Sequence, residues 1–198
     1  PLVSPEEFPS WILFEDQDLL VVNKPGWLVC HPSKNGPWSS LVGAGREYTG
    51  ADRVYLAGRL DRETSGVVLL GKNPEAGKTW QMAVEKREAS RSYLAILTGE
   101  LKNLQEVETH IGNDPDSPVF VKQRVTQPSR KSKLAQTCFL PLIACKGHTL
   151  TRVTTQTGRK HQIRVHAQHI GHPLVGEKLY GDDENLYLEF CQNGWTNE

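Results

Sequence analysis

Short apolar runs with strand character follow one another along this chain, and turn-forming residues separate them. Helical spacing of apolar residues begins at only two places, Pro74 and His161, and the patterns fade near residues 87–90 and 170. Strands that come in runs, instead of alternating one by one with helices, favour antiparallel pairing. The sequence therefore predicts an α+β fold with a mainly antiparallel mixed sheet. The predicted strands are residues 11–14, 19–22, 67–71, 93–97, 119–121, 138–143 and 149–155.

The length of 198 residues suits one domain, or one core divided into two lobes. We expect residues 1–198 to form a single domain that ends in a short, atypical tail over residues 182–198. The polar and basic stretch 123–133 is typical of a linker, either a disordered loop or a loop that contacts RNA.

Composition excludes several classes of protein. With 37% hydrophobic residues the chain is neither disordered nor collagen-like. Its longest aliphatic runs, such as residues 67–70, are far shorter than the roughly 18 residues that a membrane span needs. The absence of a secretory leader and of any Cys-x-x-Cys pair predicts four free thiols in a reducing, cytoplasmic compartment.

The charge distribution is strongly segregated although the net charge is zero. No Asp or Glu occurs between Asp116 and Glu177, whereas that stretch holds ten Lys or Arg residues. We call residues 117–176 the acid-free span. Either the acidic ends of the chain neutralise it in space, or it faces phosphates, where Lys and Arg gain by releasing counterions. The residues expected to carry binding to such a polyanion are Lys122, Arg124, Arg130, Lys131, Lys133, Arg159 and Lys160.

One chemically suggestive stretch runs from Gly58 to Gly66, just before an apolar strand. Here Asp61 lies between two arginines, and the opposite charges favour its ionised form. Such a carboxylate can serve as a nucleophile or base, or it can be one half of a structural salt bridge. Taken by itself, the stretch does not decide between these roles.

A second suggestive stretch runs from Gly158 to His166 and opens a helix. Arg159 and Lys160 in the first turn are unfavourable for the helix dipole, which indicates another purpose such as an anion. The spacing of His166, His169 and His172 permits a metal site, but no acidic residue accompanies them and Gly171 and Pro173 should end the helix first. We therefore expect no metal.

Tyr93 lies on a predicted strand beside Arg91. Its ring either belongs to the core or lies flat against a nucleobase. The five tryptophans are expected in the core or in contacts between lobes, because none lies in the acid-free span.

Five groups of residues, taken together in their order and spacing, closely resemble the RluA-type pseudouridine synthases. The resemblance covers about residues 11–181, and its most specific motifs are Arg-Leu-Asp-x-x-Thr-Ser-Gly and Gly-Arg-x-His-Gln-Ile-Arg. The groups are Asn23-Lys24-Pro25 with Leu28-Val29 and His31-Pro32; Arg59-Leu60-Asp61 with Thr64-Ser65-Gly66; Tyr93 with Ala95 and Gly99; Gly158-Arg159 with His161 to His166; and Gly171-His172-Pro173 with Gly176 and Leu179-Tyr180-Gly181.

The resemblance implies an enzyme that isomerises uridine in structured RNA, either ribosomal or transfer RNA. It implies a two-lobed catalytic domain with a central cleft and no S4-like domain. The N1–C1′ glycosidic bond is cut, the base turns, and C5 is joined to C1′. Asp61 matches the essential aspartate, which acts as nucleophile at an anomeric carbon much as a carboxylate does in retaining glycosidases. An isomerisation involves no redox change or group transfer, so no cofactor is implied.

The resemblance also implies roles for other residues. Arg164 matches the arginine that pairs with the aspartate, and Tyr93 the tyrosine that packs on the base and can help remove the C5 proton. Arg59 matches the arginine that enters the RNA stack when the uridine is flipped out. The residues expected to contact RNA are Arg59, Arg62, Thr64, Lys131, Arg159, Lys160, His161, Gln162 and Ile163.

The chain departs from the family pattern at three places. Gly58 stands where relatives commonly have His, Trp27 stands where they have Gly, and the segment after Gly181 lacks the usual strand. None of these departures affects Asp61, so they bear on substrate choice and not on the reaction.

Two alternatives stay open beside a monomeric RNA-modifying enzyme. One is an RNA-binding or folding-assistance protein on the same scaffold with little turnover, which the acid-free span equally supports. The other is a metal hydrolase built on the histidines.

Overall fold

The computed structural model of the chain describes residues 2–31, 35–86 and 88–194. It divides into two compact units, residues 1–89 and 90–198. Both units combine helices with antiparallel sheets, which confirms the predicted α+β class. Within the described ranges, no helix has both the length and the apolar character needed to cross a membrane. Cys30, Cys138, Cys145 and Cys191 are free thiols, as predicted.

The first unit is built on a four-stranded sheet in the order β1-β2-β4-β3. Each neighbouring pair of strands is antiparallel. A core of buried residues, including Phe8, Leu20, Leu41 and Leu70, lies against it. The regular elements of this unit are β1 (Ile12–Glu15), β2 (Leu19–Lys24), α1 (Leu41–Thr49), β3 (Tyr55–Leu56), β4 (Gly66–Gly71), α2 (Pro74–Glu85) and two 3₁₀ turns, Phe8–Trp11 and Pro37–Ser39.

Both helices of the first unit begin at side-chain caps. The Ser40 hydroxyl accepts a hydrogen bond from the Gly43 amide at 3.1 Å, and the Asn73 side chain accepts one from the Ala76 amide at 2.8 Å. Such caps satisfy amide groups that have no partner within the helix. Helix α1 was absent from the sequence prediction because its glycines lower helix propensity. Gly43 is nevertheless required, since a Cβ there would lie 1.9 Å from the Pro37 carbonyl oxygen.

The second unit is built on a five-stranded antiparallel sheet in the order β5-β9-β8-β6-β7. Helix α3 packs on it through a core that includes Leu97, Phe139, Val153 and Ala167. Lys146 and Gly147 both have positive φ and form the tight turn between β8 and β9. The elements are β5 (Arg91–Thr98), β6 (Gln105–Asn113), β7 (Gln123–Thr126), β8 (Lys133–Cys145), β9 (His148–Thr155), α3 (Gln162–His169) and α4 (Asn185–Asn193).

The prediction for residues 119–126 was wrong in two respects. Residues 119–121 form a turn, closed by a hydrogen bond from the Lys122 amide to the Val119 carbonyl, and Phe120 is 88% exposed. The strand lies further on, in the polar sequence predicted as a linker, because β7 is an edge strand that pairs only with β6. An edge strand does not need alternating apolar residues to form its ladder.

The tail expected over residues 182–198 contains a helix that the sequence did not predict. Residues 185–193 form α4, and Tyr187 and Leu188 pack against a buried cluster that contains Leu179 and Tyr180. Trp195 and the rest of the tail beyond residue 194 lie outside the described residues.

Candidate functional site

Asp61 lies on the loop of residues 57–65 that joins β3 to β4 in the first unit. The Thr64 amide donates to the Asp61 carbonyl at 3.2 Å, which makes residues 61–64 a turn. Asp61 is half-buried, whereas Arg59 and Arg62 are exposed. The loop therefore carries one half-buried carboxylate and, on either side of it in sequence, two exposed arginines.

A buried lysine fixes the main chain of this loop by hydrogen bonds. Lys24, at the end of β2, has no exposed surface, and its ammonium group donates to three carbonyl oxygens. These belong to Pro25 at 2.8 Å, Leu28 at 2.8 Å and Arg62 at 3.0 Å. All three donors of the ammonium are thus used. One of the three bonds ends on the residue next to Asp61, so the lysine fixes the main chain at the carboxylate.

The electrostatic surroundings of Lys24 include Asp61 itself. Burial lowers the pKa of Lys24, because the charged form loses water, while the charge of Asp61 acts in the opposite direction. The sequence resemblance included Lys24 in a motif without giving it a role. The only sequence feature that indicated a role for Lys24 was its position at the end of an apolar strand.

The segment after Lys24 makes two further contacts with the loop. The Cys30 thiol donates to the Leu60 carbonyl at 3.4 Å, and Arg59 Nη1 donates to His31 Nε2 at 3.1 Å. Burial raises the pKa of the Cys30 thiol, so it stays protonated and acts as a donor. The first two motifs of the resemblance are therefore one structure, in which residues 24–31 position the Asp61 loop.

Tyr93 lies on β5 of the second unit, opposite Val153 on β9. It is half-buried and packs beside the core that contains Leu97 and Phe139. Tyr93 therefore makes the core contacts that the sequence allowed for it, and the rest of its side chain is exposed to solvent.

The segment that leads into α3 is held by the side chain of Gln162. Its amide nitrogen donates to the Gln136 carbonyl and to the Thr137 hydroxyl, both at 2.9 Å. Its amide oxygen accepts from the Thr157 hydroxyl at 2.8 Å and from the Arg159 amide at 3.0 Å. These four bonds use the whole capacity of a glutamine amide.

Two residues expected to contact RNA also serve to support the fold. Gln162 is buried and its amide is fully hydrogen-bonded within the unit, so it fastens the segment that leads into α3. Ile163 packs against the core of the same unit. The contact of Gln162 and Ile163 with RNA stays a prediction.

Arg164, on the next turn of α3, forms a two-point ion pair with Glu177. Its Nε donates to Oε2 at 2.7 Å and its Nη2 donates to Oε1 at 2.6 Å. The guanidinium carbon also lies 4.9 Å from the centre of the Tyr180 ring. The sequence predicted Arg164 as a site residue but gave no partner for it within this unit.

Tyr180 is fully buried and links three segments of the second unit. Its hydroxyl accepts from the Gln123 amide at 2.9 Å and lies 2.6 Å from Nδ1 of His161. His161 has a φ of 55°, a backbone conformation that is uncommon for a residue with a side chain. The Tyr180 hydroxyl helps to hold this strained residue at the start of α3.

His166 is buried between two hydroxyl groups. Its Nδ1 lies 2.8 Å from the Thr137 oxygen and its Nε2 lies 3.0 Å from the Thr109 oxygen. Burial, and to a smaller degree the charge of His169, lowers the pKa of His166 to about 4. Over the described part of the chain, no group of three or more His, Cys, Asp or Glu residues could hold a metal ion.

The acid-free span is partly neutralised by acids outside it. Lys122 pairs with Glu184 at 2.7 Å, and Arg124 pairs with Asp114 at 3.3 Å. At Lys122 and Arg124 the structure thus agrees with the alternative in which acids outside the span neutralise it, and their role in RNA binding stays a prediction. Chain topology brings these acids next to the span, although none lies within it.

Another part of the span stays positive. Arg130, Lys131 and Lys133 are exposed, and the described residues provide none of them with an ion pair. We call these three residues the basic loop. Arg159 Nε donates to the Leu134 carbonyl at 2.8 Å, which ties the segment before α3 to the residue after Lys133. The basic loop therefore adjoins Arg159 and the exposed Lys160.

The predicted site residues fall into two groups, one in each unit. Arg59, Asp61, Arg62 and Thr64 share a single loop of the first unit. The pairing of Asp61 with Arg164 stays a prediction. The group in the second unit consists of Tyr93, Lys131, Arg159, Lys160, His161, Gln162, Ile163 and Arg164.

Comparison with known proteins gives consistent similarities. The family model described as RNA pseudouridylate synthase matches residues 18–169. The chain is 38% identical over 194 residues to an uncharacterised RNA pseudouridine synthase of Mycoplasma pneumoniae, covering 96% of this chain and 61% of that protein. It is 35% identical over 182 residues to ribosomal large subunit pseudouridine synthase D of Yersinia pestis, covering 90% and 54%. The chain thus spans between half and two thirds of these relatives.

Solved structures agree with the sequence comparisons. The human protein RNA Pseudouridylate Synthase Domain Containing 4 superposes with a TM-score of 0.73 at 25% identity, covering 90% of this chain and 71% of that one. The human protein RNA Pseudouridylate Synthase Domain Containing 1 gives a TM-score of 0.71 at 25% identity, covering 86% and 69%.

Proposed function

The chain belongs to the RNA pseudouridylate synthase family, and on that premise we propose that it isomerises uridine to pseudouridine within RNA. The observation that carries the proposal is the placement of Asp61. It is a half-buried carboxylate on a loop whose main chain is fixed at Arg62 by Lys24 and at Leu60 by Cys30. A nucleophile must be held in place if its attack is to be productive, and this loop supplies that support.

In the proposed reaction the Asp61 carboxylate approaches C1′ of the target nucleotide as the N1–C1′ bond breaks. The uracil then turns, C5 bonds to C1′, and the carboxylate leaves. The C5 proton is lost and N1 gains one, so the composition of the nucleotide does not change. Each step is an acid–base or substitution step that side chains can perform without a cofactor.

Three other residues support this chemistry in the proposal. Arg164 is the cation that pairs with the Asp61 carboxylate in the proposed reaction and keeps it ionised and aimed. Tyr93 packs on the base, and its hydroxyl helps to remove the C5 proton. Arg59, exposed on the Asp61 loop, takes the space that the flipped uridine leaves in the RNA stack.

We propose large-subunit ribosomal RNA as the substrate, and a monomer in the cytoplasm as the acting form. Relatives from Yersinia pestis and Escherichia coli, 35% and 32% identical, are named for the ribosomal large subunit. The exposed cations of the basic loop, together with Lys160, support a polyanionic partner.

The test is tritium release from ribosomal RNA that carries uridine labelled at C5. Asp61→Asn should slow release by at least about 1000-fold, because an amide cannot act as the nucleophile, while RNA affinity stays within about threefold. Asp52→Asn, an exposed aspartate of the same unit, is the matched control and should keep the wild-type rate. A wild-type chain that binds RNA without releasing tritium would indicate the folding-assistance alternative instead.

A further inference from the structure

We propose that Glu177 is a positioning residue for the reaction and acts by fixing the direction in which Arg164 presents its guanidinium group. The inference deepens the proposed function and rests on it. Glu177 lies outside the two specific motifs of the sequence, 13 residues beyond Arg164.

The Glu177 carboxylate is itself fixed before it meets the arginine. Its side chain is 5% exposed, and Oε1 accepts hydrogen bonds from the Leu179 amide at 2.9 Å and the Tyr180 amide at 3.3 Å. The bonds come from the main chain just after Glu177, so the carboxylate has little freedom to turn. A fixed carboxylate is a suitable anchor for another side chain.

The pair between Glu177 and Arg164 sets the plane of the guanidinium. A guanidinium group can meet a carboxylate along two edges, one that includes Nε and one formed by the two terminal nitrogens. Glu177 takes the edge that contains Nε, at 2.7 Å and 2.6 Å. A second carboxylate must therefore approach the terminal edge.

The Tyr180 ring restricts the remaining motion. It lies 4.9 Å from the guanidinium carbon, and the ring is held by the bonds of its hydroxyl to Gln123 and toward His161. Movement of the guanidinium out of its plane toward the ring is thereby blocked. Glu177 and Tyr180 together fix the head of Arg164 in two directions.

The charge state of Glu177 suits this role. Burial by itself raises the pKa of its carboxyl, but the hydrogen bonds and charge of Arg164 and the two main-chain amides outweigh burial. The pKa therefore lies below its usual range, and Glu177 is anionic at neutral pH. Buried ion pairs contribute little net stability, so orientation is the benefit that explains this one.

The experiment is a double-mutant cycle with Glu177→Gln and Arg164→Met, read as single-turnover tritium release at saturating RNA and, separately, as RNA affinity. Glutamine is nearly isosteric with glutamate and can still accept from the two amides. Glu177→Gln should slow the rate by about 10- to 100-fold with affinity within about threefold. Glu177→Asp, which keeps the charge, should recover part of the rate.

The decisive comparison is the effect of Glu177→Gln when Arg164 is already absent. If Glu177 acts through Arg164, the double variant should be no slower than Arg164→Met alone. Equal slowing in both backgrounds would overturn the inference, as would a Glu177→Gln rate within about twofold of wild type. The matched control is Glu184→Gln, which breaks an ion pair of similar length in the same unit and should leave the saturated rate unchanged.

Urea unfolding of the same variants gives a readout that does not depend on activity. Arg164→Met leaves a buried carboxylate unpaired, so it should lower the urea midpoint more than the double variant does. If the wild-type chain releases no tritium, the proposed function fails and the positioning role fails with it, whatever the unfolding data show. If tritium is released but the unfolding effects simply add, only the inference about Glu177 fails.

Discussion

The Asp61 loop of the first unit and the segment entering α3 in the second unit are fixed in opposite ways. The loop is held mainly through its main chain, because Lys24 and Cys30 bond to carbonyl oxygens, while Arg59 and Arg62 stay exposed although Arg59 also bonds to His31. The α3 segment is held through its side chains, since Gln162 and His166 are buried and their polar atoms have partners within the unit.

The difference decides which motif side chains face solvent. Where the main chain carries the support, the side chains stay exposed, as at Arg59 and Arg62. Where the side chains carry the support, they are buried, as at Gln162 and His166, and Arg164 is the residue of that motif to which the proposed function gives a chemical role. Two motifs of similar specificity can thus divide their residues differently between support and chemistry.

The largest expected effect concerns the support of the Asp61 loop. Lys24→Met removes the donor of three hydrogen bonds to carbonyl oxygens, and we expect a loss of about 3 kcal/mol in the free energy of unfolding. The rate of tritium release should also fall by about 100-fold, because the main chain beside Asp61 loses its anchor. Urea unfolding and single-turnover assays measure the two effects.

The control for this prediction is Lys72→Met in the same unit. Lys72 forms a partly exposed pair with Glu15, so its replacement should cost less than about 1 kcal/mol. Equal losses for the two lysines would mean that the loop does not depend on Lys24, and the contrast between the two motifs would no longer hold.

A smaller effect on stability is expected when the pH is lowered, because His166 helps to hold α3 in place. The folded pKa of His166, about 4, lies below its usual value of 6.5, so the unfolded chain binds more protons in that range. Stability should therefore fall as the pH decreases from 6.5 to 4, by up to about 3 kcal/mol in all. Urea unfolding at several pH values tests this.

His166→Gln should flatten that dependence, whereas His148→Gln, at an exposed histidine of β9, should preserve it. An unchanged slope in the His166 variant would show that protonation of His166 is not what destabilises the second unit in acid.

The smallest expected effect concerns the basic loop beside the α3 segment. Replacing Arg130, Lys131 and Lys133 by Ser should flatten the log–log salt dependence of RNA binding by up to about two units, at about 0.7 per phosphate contact. The reaction rate at saturating RNA should not change. Arg124→Gln is the control, since Arg124 already pairs with Asp114 and should change the slope less. Superimposable slopes for wild type and the triple variant would place the RNA elsewhere.

The sequence predicted much of the fold because helix and strand patterns are local. The runs at residues 19–22, 67–71 and 149–155 and the helix from Pro74 all occur where their periodicity indicated. It failed at α1, where glycines needed for close packing weaken the helical signal, and at β7, where an edge strand carries polar residues.

By itself, the sequence determined the α+β class and the identity of Asp61 and Arg164 as candidate site residues, since both depend on patterns within a few residues. The tertiary structure alone decided the partners. Lys24 contacts Arg62 at a separation of 38 residues, Arg164 contacts Glu177 at 13, and Lys122 contacts Glu184 at 62. Hydrogen bonds and ion pairs depend on distance in space, and for residues so far apart along the chain only the folded topology sets that distance.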